Sequence, residues 1–132
     1  RGLGDVYKRQ AERERTAGGF PESYYKVQKI QEWLNSSYAA EISGERLGEE
    51  FDGNFDYMNR IFKRVTGQTI FQYLTAVRME HAKRLIAQTT MHTGVIGQEV
   101  GYPDEYYFSK VFKRNVGMSP CAYADSLSKN KL

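Results

Sequence analysis

The hexapeptide Phe62-Lys63-Arg64-Val65-Thr66-Gly67 has a near copy, Phe112-Lys113-Arg114-Asn115-Val116-Gly117, fifty residues later. A chain of 132 residues that repeats itself at that interval builds one supersecondary unit twice. The match extends upstream. Tyr57 corresponds to Tyr107, Ile61 to Val111, and Leu47-Gly48 to Ile96-Gly97, with one more residue in the second turn.

Apolar spacing predicts helices throughout, and no stretch alternates with period two, so the expected fold is all-α with about seven helices. A first helix is expected from Ser23 to about Ala40, with Val27, Ile30, Trp33 or Leu34 and Tyr38 in one stripe. Ser43 is expected to cap a short helix, and Phe51-Asp52-Gly53-Asn54 to turn into a second that ends before Gly67. Thr69 is expected to cap a long helix to about Gln88, roughly 30 Å at 1.5 Å per residue. The plan then recurs. Thr93 is the expected cap of a short helix, Gly101-Tyr102-Pro103-Asp104 the turn, and Asp104 or Glu105 the start of a helix stopped by Gly117. Ser119-Pro120 opens a last helix, followed by a polar tail from residue 128. Short helix, turn and second helix make a helix-turn-helix. The two units are expected at about 43–66 and 93–116, joined by the helix at about 69–88, within a domain of residues 23–127.

The second helix of each unit has an apolar face that anchors it and a hydrophilic face that is free. In the first unit the free face carries Asp56, Asn59, Arg60, Lys63 and Arg64. In the second it carries Glu105, Tyr106, Ser109, Lys110, Lys113 and Arg114. Spacings of three and four put each set on one surface. The net charge of +3 permits an anionic partner without requiring one, so the placement of the charges is what points to DNA. Two such helices entering successive major grooves need about 34 Å between them, the scale of the connecting helix.

From about Ile42 to Tyr123 these residues resemble the AraC/XylS family of bacterial transcription regulators. The second unit carries the most specific motifs: the Gly101-Tyr102 turn, the Phe108-Ser109-Lys110-x-Phe112-Lys113 core and the Gly117-x-Ser119-Pro120 ending. The resemblance implies a cytoplasmic, two-headed DNA-binding domain, an activator that touches RNA polymerase, and a small-molecule sensor domain on the N-terminal side. Carried over by position, Asp56, Asn59 and Arg60 are expected to read bases in the first head, and Glu105, Tyr106, Ser109 and Lys110 in the second. Arg60 would suit guanine, Asn59 adenine, and a carboxylate cytosine N4. Ser43, Lys63, Arg64, Thr93, Lys113 and Arg114 are the expected contacts to the DNA backbone. Gly48 and Gly97 replace the family's usual Ala, and Ala124 its usual Arg.

Other residues read as structural. Tyr57 and Tyr107 are expected to pack with hydroxyls at the rim, and Arg78 to form an ion pair on the connecting helix. His81 and His92 stand without partners at ligand spacing, so no metal or other cofactor is expected. The single cysteine, Cys121, excludes an internal disulfide. No phosphate-binding loop, nucleophile elbow or placed acid–base pair is present in the sequence, so no enzyme is expected. The alternatives are an all-α adaptor for an acidic protein partner, or the DNA-binding module of a larger repair enzyme. No apolar run reaches the roughly 18 residues of a membrane span.

The chain does not begin with Met, and Asp5 to Gln10 resembles the translated transposon mosaic end used in preparing DNA sequencing libraries. On that resemblance residues 1–10 are translated adapter and the native chain enters part-way through a longer gene. Otherwise they are a native arm whose Lys8 and Arg9 could touch DNA. Residues 11–22 read as a linker.

Overall fold

The computed structural model describes residues 21–129. The adapter-like segment, nearly all of the expected linker and the last three residues lie outside them. Among the described residues are seven α-helices and no strand. They are α1 Glu22–Ser37, α2 Gly44–Glu50, α3 Phe55–Thr66, α4 Ile70–Gln88, α5 Thr93–Glu99, α6 Glu105–Val116 and α7 Pro120–Lys129. They form two compact units, one of residues 21–37 and 42–74, the other of residues 38–41 and 75–129. None of the described helices is long and apolar enough to cross a membrane.

In the first unit, α1 and α2 both pack on α3. The buried stripe of α1 is Val27, Ile30 and Leu34, and it shares a core with Leu47, Met58, Ile61, Phe62, Ile70 and Leu74. Each large apolar side chain so enclosed contributes roughly 1.5–3 kcal/mol. Ser43 caps α2 as expected, its Oγ accepting from the Arg46 amide at 3.1 Å. Asn54 caps α3 through the Tyr57 amide at 3.0 Å. Trp33, half-buried, meets the edge of Phe51 at 5.8 Å, with the Arg46 guanidinium 5.5 Å from its ring.

The second unit buries Met79, Ala82, Ile96, Val100, Tyr102, Phe108, Val111 and Phe112. Tyr38, Leu85, Ile86, Val116 and Tyr123 close over that core. The cap of α5 is His92, whose Nδ1 accepts from the Gly94 amide at 3.1 Å. The expected cap, Thr93, is instead the first helical residue, and its hydroxyl lies 3.9 Å from Cys121 Sγ.

The repeat is physical as well as textual. Phe62 meets Tyr73 edge-on at 5.5 Å, and Phe112 meets Tyr123 edge-on at 5.7 Å. Gly67 and Gly117 end their helices left-handed, donating to Lys63 O at 2.8 Å and Lys113 O at 2.9 Å. The turns share a bond as well, from Gly53 N to Gly48 O at 3.0 Å and from Tyr102 N to Gly97 O at 2.7 Å. At the corner of each, one residue is left-handed: Asp52 with φ 50° and Gly101 with φ 108°. The glycines in place of Ala have a packing reason. A β-carbon at Gly97 would sit 2.9 Å from Phe108 Cγ, and one at Gly48 would sit 2.9 Å from Gly53 O.

Two expectations are corrected around Arg78. Helix α1 stops at Ser37, three residues early, and Tyr38 leaves the expected stripe. Arg78 explains this. It is almost wholly buried, and it donates from Nε to Tyr38 O at 2.7 Å and from Nη2 to Ala40 O at 2.8 Å. Its guanidinium also lies 5.0 Å from the Tyr102 ring centroid. Two carbonyls and a ring face, rather than the expected carboxylate, take up the charge. Continuing α1 would turn those carbonyls into its own ladder.

Gly101 is left-handed and backs onto Arg78, with a β-carbon there only 2.9 Å from Cζ and Nε. Gly101→Ala is therefore both strained and crowded, and should lower stability by about 1–3 kcal/mol in urea unfolding. Arg78→Met leaves two carbonyls unpaired and should cost roughly 2–4 kcal/mol. His81 stacks flat on Tyr38 at 3.9 Å. Its loss of solvent holds its pKa below the ordinary value, and the nearby Arg84 charge acts the same way, with Glu80 opposing. The unfolded chain then binds the proton more readily, so this contribution to stability is present above about pH 6.5 and is lost as pH falls below it. His81→Phe, which keeps the stack, should flatten the change in urea midpoint between pH 7.5 and pH 5.

Candidate nucleic-acid interface

Helices α3 and α6 each have twelve residues, and each buries three of them at the same register: Met58, Ile61 and Phe62, and Phe108, Val111 and Phe112. Burial of that stripe fixes which way the rest of the helix points. Asp56, Arg60, Lys63 and Arg64 are exposed on α3, as are Glu105, Tyr106, Lys110, Lys113 and Arg114 on α6. Asn59 and Ser109, also expected on these faces, are half-buried.

In the first head, acidic Asp56 lies in the opening turn of α3, and Lys63 and Arg64 lie in its last. Both placements suit the helix dipole. The Arg60 guanidinium lies 6.0 Å from the Tyr57 ring centroid, and Lys26 Nζ of α1 lies 6.0 Å from the same ring. Tyr57, Arg60, Ile61 and Arg64 line a shallow concavity. This face offers two guanidinium groups and a phenol beside a carboxylate, which are donors for phosphate or guanine and an acceptor for cytosine N4.

Asn59 departs from the expectation of a free base reader. It is half-buried, and its Oδ1 accepts from the Ile70 amide at 2.9 Å. Paired recognition of adenine needs both the oxygen and the nitrogen of the amide. Ser43 is exposed, but its Oγ is already engaged as the cap of α2.

In the second head, Asp104 caps α6 by accepting from the Tyr106 and Tyr107 amides at 2.9 and 3.2 Å. Tyr106 stands 73% exposed, with Lys110 Nζ 5.2 Å from its ring centroid. Glu105 leans over α5, where a β-carbon on Gly94 would come within 2.8 Å of its Oε1. Ser109 is half-buried and makes no side-chain hydrogen bond among the described residues. Thr93 is half-buried at the start of α5.

Tyr57 and Tyr107 were expected to pack with hydroxyls at the rim; they are 52% and 56% exposed, and the Tyr107 ring lies 5.8 Å from that of buried Tyr102. Each stands four residues before a buried residue, Ile61 or Val111, and so borders the buried stripe, about 40° from that neighbour and about 100° from Met58 or Phe108. Spacing therefore puts both at the margin of the stripe, a position compatible with packing or with exposure. The cap role of His92 had no signal in the sequence, because imidazole is outside the usual capping set.

A family model described as a helix-turn-helix domain matches residues 54–126. An uncharacterized HTH-type transcriptional regulator, YisR of Bacillus subtilis, is 45% identical over 97 residues, which are 74% of this chain and 34% of that protein. The HTH-type transcriptional activator RhaR of Klebsiella pneumoniae is 35% identical over 94 residues, covering 71% of this chain and 34% of the relative. The chain thus spans about a third of the length of these curated relatives. Among solved structures, the C-terminal domain of AraT, a response regulator from Geobacillus stearothermophilus, superposes with a TM-score of 0.75 at 27% identity. That superposition covers 76% of this chain and 84% of the other. With two helix-turn-helix units built alike and these relatives, the chain belongs to the AraC/XylS family of transcription regulators and carries that family's DNA-binding domain.

Proposed function

We propose that the protein binds double-stranded DNA sequence-specifically as a transcription activator, inserting α3 and α6 into successive major grooves. The observation that carries this reading is the duplicated face: two twelve-residue helices, each anchored by the same three apolar positions, leave cations and polar groups exposed at matching places. The unbroken α4 of 19 residues, roughly 28 Å long, connects the two units along the chain.

Asp56 and Arg60 read bases in the first head, and Glu105, Tyr106, Ser109 and Lys110 in the second. Lys63, Arg64, Lys113 and Arg114 neutralise phosphates, and backbone amides near Ser43 and Thr93 add further phosphate contacts. RNA polymerase is the proposed protein partner. A small-molecule effector would act through an N-terminal domain outside this sequence. The relative named as an activator supports this assignment, as does the position of the protein within a family of regulators. Work at the DNA would place it in the bacterial cytoplasm, at the nucleoid.

Selection from a random DNA pool should enrich two motifs about one helical turn apart. Arg60→Ala should cost roughly 1–3 kcal/mol on the selected site and relax one base position. Lys113→Ala should weaken binding to all sequences alike and reduce the salt slope by about 1, as read by fluorescence anisotropy across a salt series. A pool from which nothing is enriched would overturn the reading.

A further inference from the structure

We propose that Asn59 is a positioning residue, fastening α3 to the first turn of α4, and that the equivalent place in the second head, Ser109, is left free for DNA. This rests on the reading of α3 and α6 as DNA-reading helices. It reverses the expectation for one residue and sets the two heads apart at a single register.

The inference starts from the amide of Ile70. Ile70 opens α4, and the first amides of any helix lack partners within it. Thr69 and Gln72 settle two amides reciprocally: Gln72 N donates to Thr69 Oγ1 at 3.1 Å, and Thr69 N donates to Gln72 Oε1 at 2.8 Å. The Ile70 amide is not served by that exchange, and Ile70 is fully buried. An unpaired amide there would be costly. Asn59 Oδ1, eleven residues back along the chain, accepts from it at 2.9 Å.

The second head is a built-in control. Fifty residues after Thr69 stands Ser119, which caps α7 through the Ala122 amide at 3.1 Å, as Thr69 caps α4. Fifty residues after Ile70 stands Pro120, which has no N–H to satisfy. Fifty residues after Asn59 stands Ser109, with no side-chain hydrogen bond among the described residues. Where the donor is present, the acceptor is engaged. Where proline removes the donor, the side chain is released. Asn59 adjoins Arg60, so the bond also holds the neighbouring reader at a set rotation about the α3 axis.

The test is a double-mutant cycle on the full chain, read by urea unfolding and by base preference from random-pool selection. Asn59→Ala should lower the urea midpoint by about 0.5 M or more, and by much less in an Ile70→Pro background, which lacks the amide donor. Because Ile70→Pro also disturbs the core, Asn59→Asp serves as a second variant. It keeps an acceptor, and its midpoint should stay close to wild type. On DNA, Asn59→Ala should weaken matched and mismatched sites by a similar factor and leave the motif unchanged. Ser109→Ala should shift preference or affinity at one base with no change in midpoint. The proposal is overturned if Asn59→Ala unfolds like wild type, or if it relaxes a single base position. If the wild-type chain selects no motif at all, the regulator reading fails by itself, and the urea cycle still decides whether Asn59 fastens α3 to α4.

Discussion

A twelve-residue helix is marginal in water, because too few hydrogen bonds follow its costly first turn. Everything that α3 and α6 display therefore depends on the burial of one stripe in each, centred on Phe62 and Phe112. Each phenylalanine is wholly enclosed and meets a tyrosine eleven residues on, on the helix that follows. That ring pair holds the second helix of the unit and fixes its rotation. The hydrophilic side is then directed outward by default, and Arg60 or Lys110 falls where chemistry with an outside partner is possible.

Much of this was legible in the residues. Phe62 and Phe112 stand at the same place in a repeated phrase, with Gly67 and Gly117 five residues on, and both glycines are left-handed stops. Ser43, Thr69 and Ser119 read as caps and are caps. Local rules suffice there, because a cap needs only the amides two or three residues ahead of it.

What was not legible depends on groups distant in sequence. Arg78 takes its partners from residues 38 and 40 positions earlier, and no spacing rule connects them. An acidic partner was the natural expectation for a buried cation, but two carbonyls just past the end of α1 meet the same electrostatic need. Asn59 is a similar case. A motif places it beside Arg60 on the reading face, and only coordinates show its amide oxygen turned to Ile70. Tyr57 and Tyr107 are a different case, since they border the buried stripe and their degree of exposure depends on what packs beside them.

The chain has a single tryptophan, and Trp33 belongs to the first unit, packed on Phe51 beneath Arg46. Its indole emission therefore samples one half of the molecule. Circular dichroism weighs both halves, since helices are present in each. Comparing the two signals along a denaturation curve distinguishes one cooperative transition from two. The uneven placement of one chromophore thus makes the energetic independence of the duplicated halves measurable without any label.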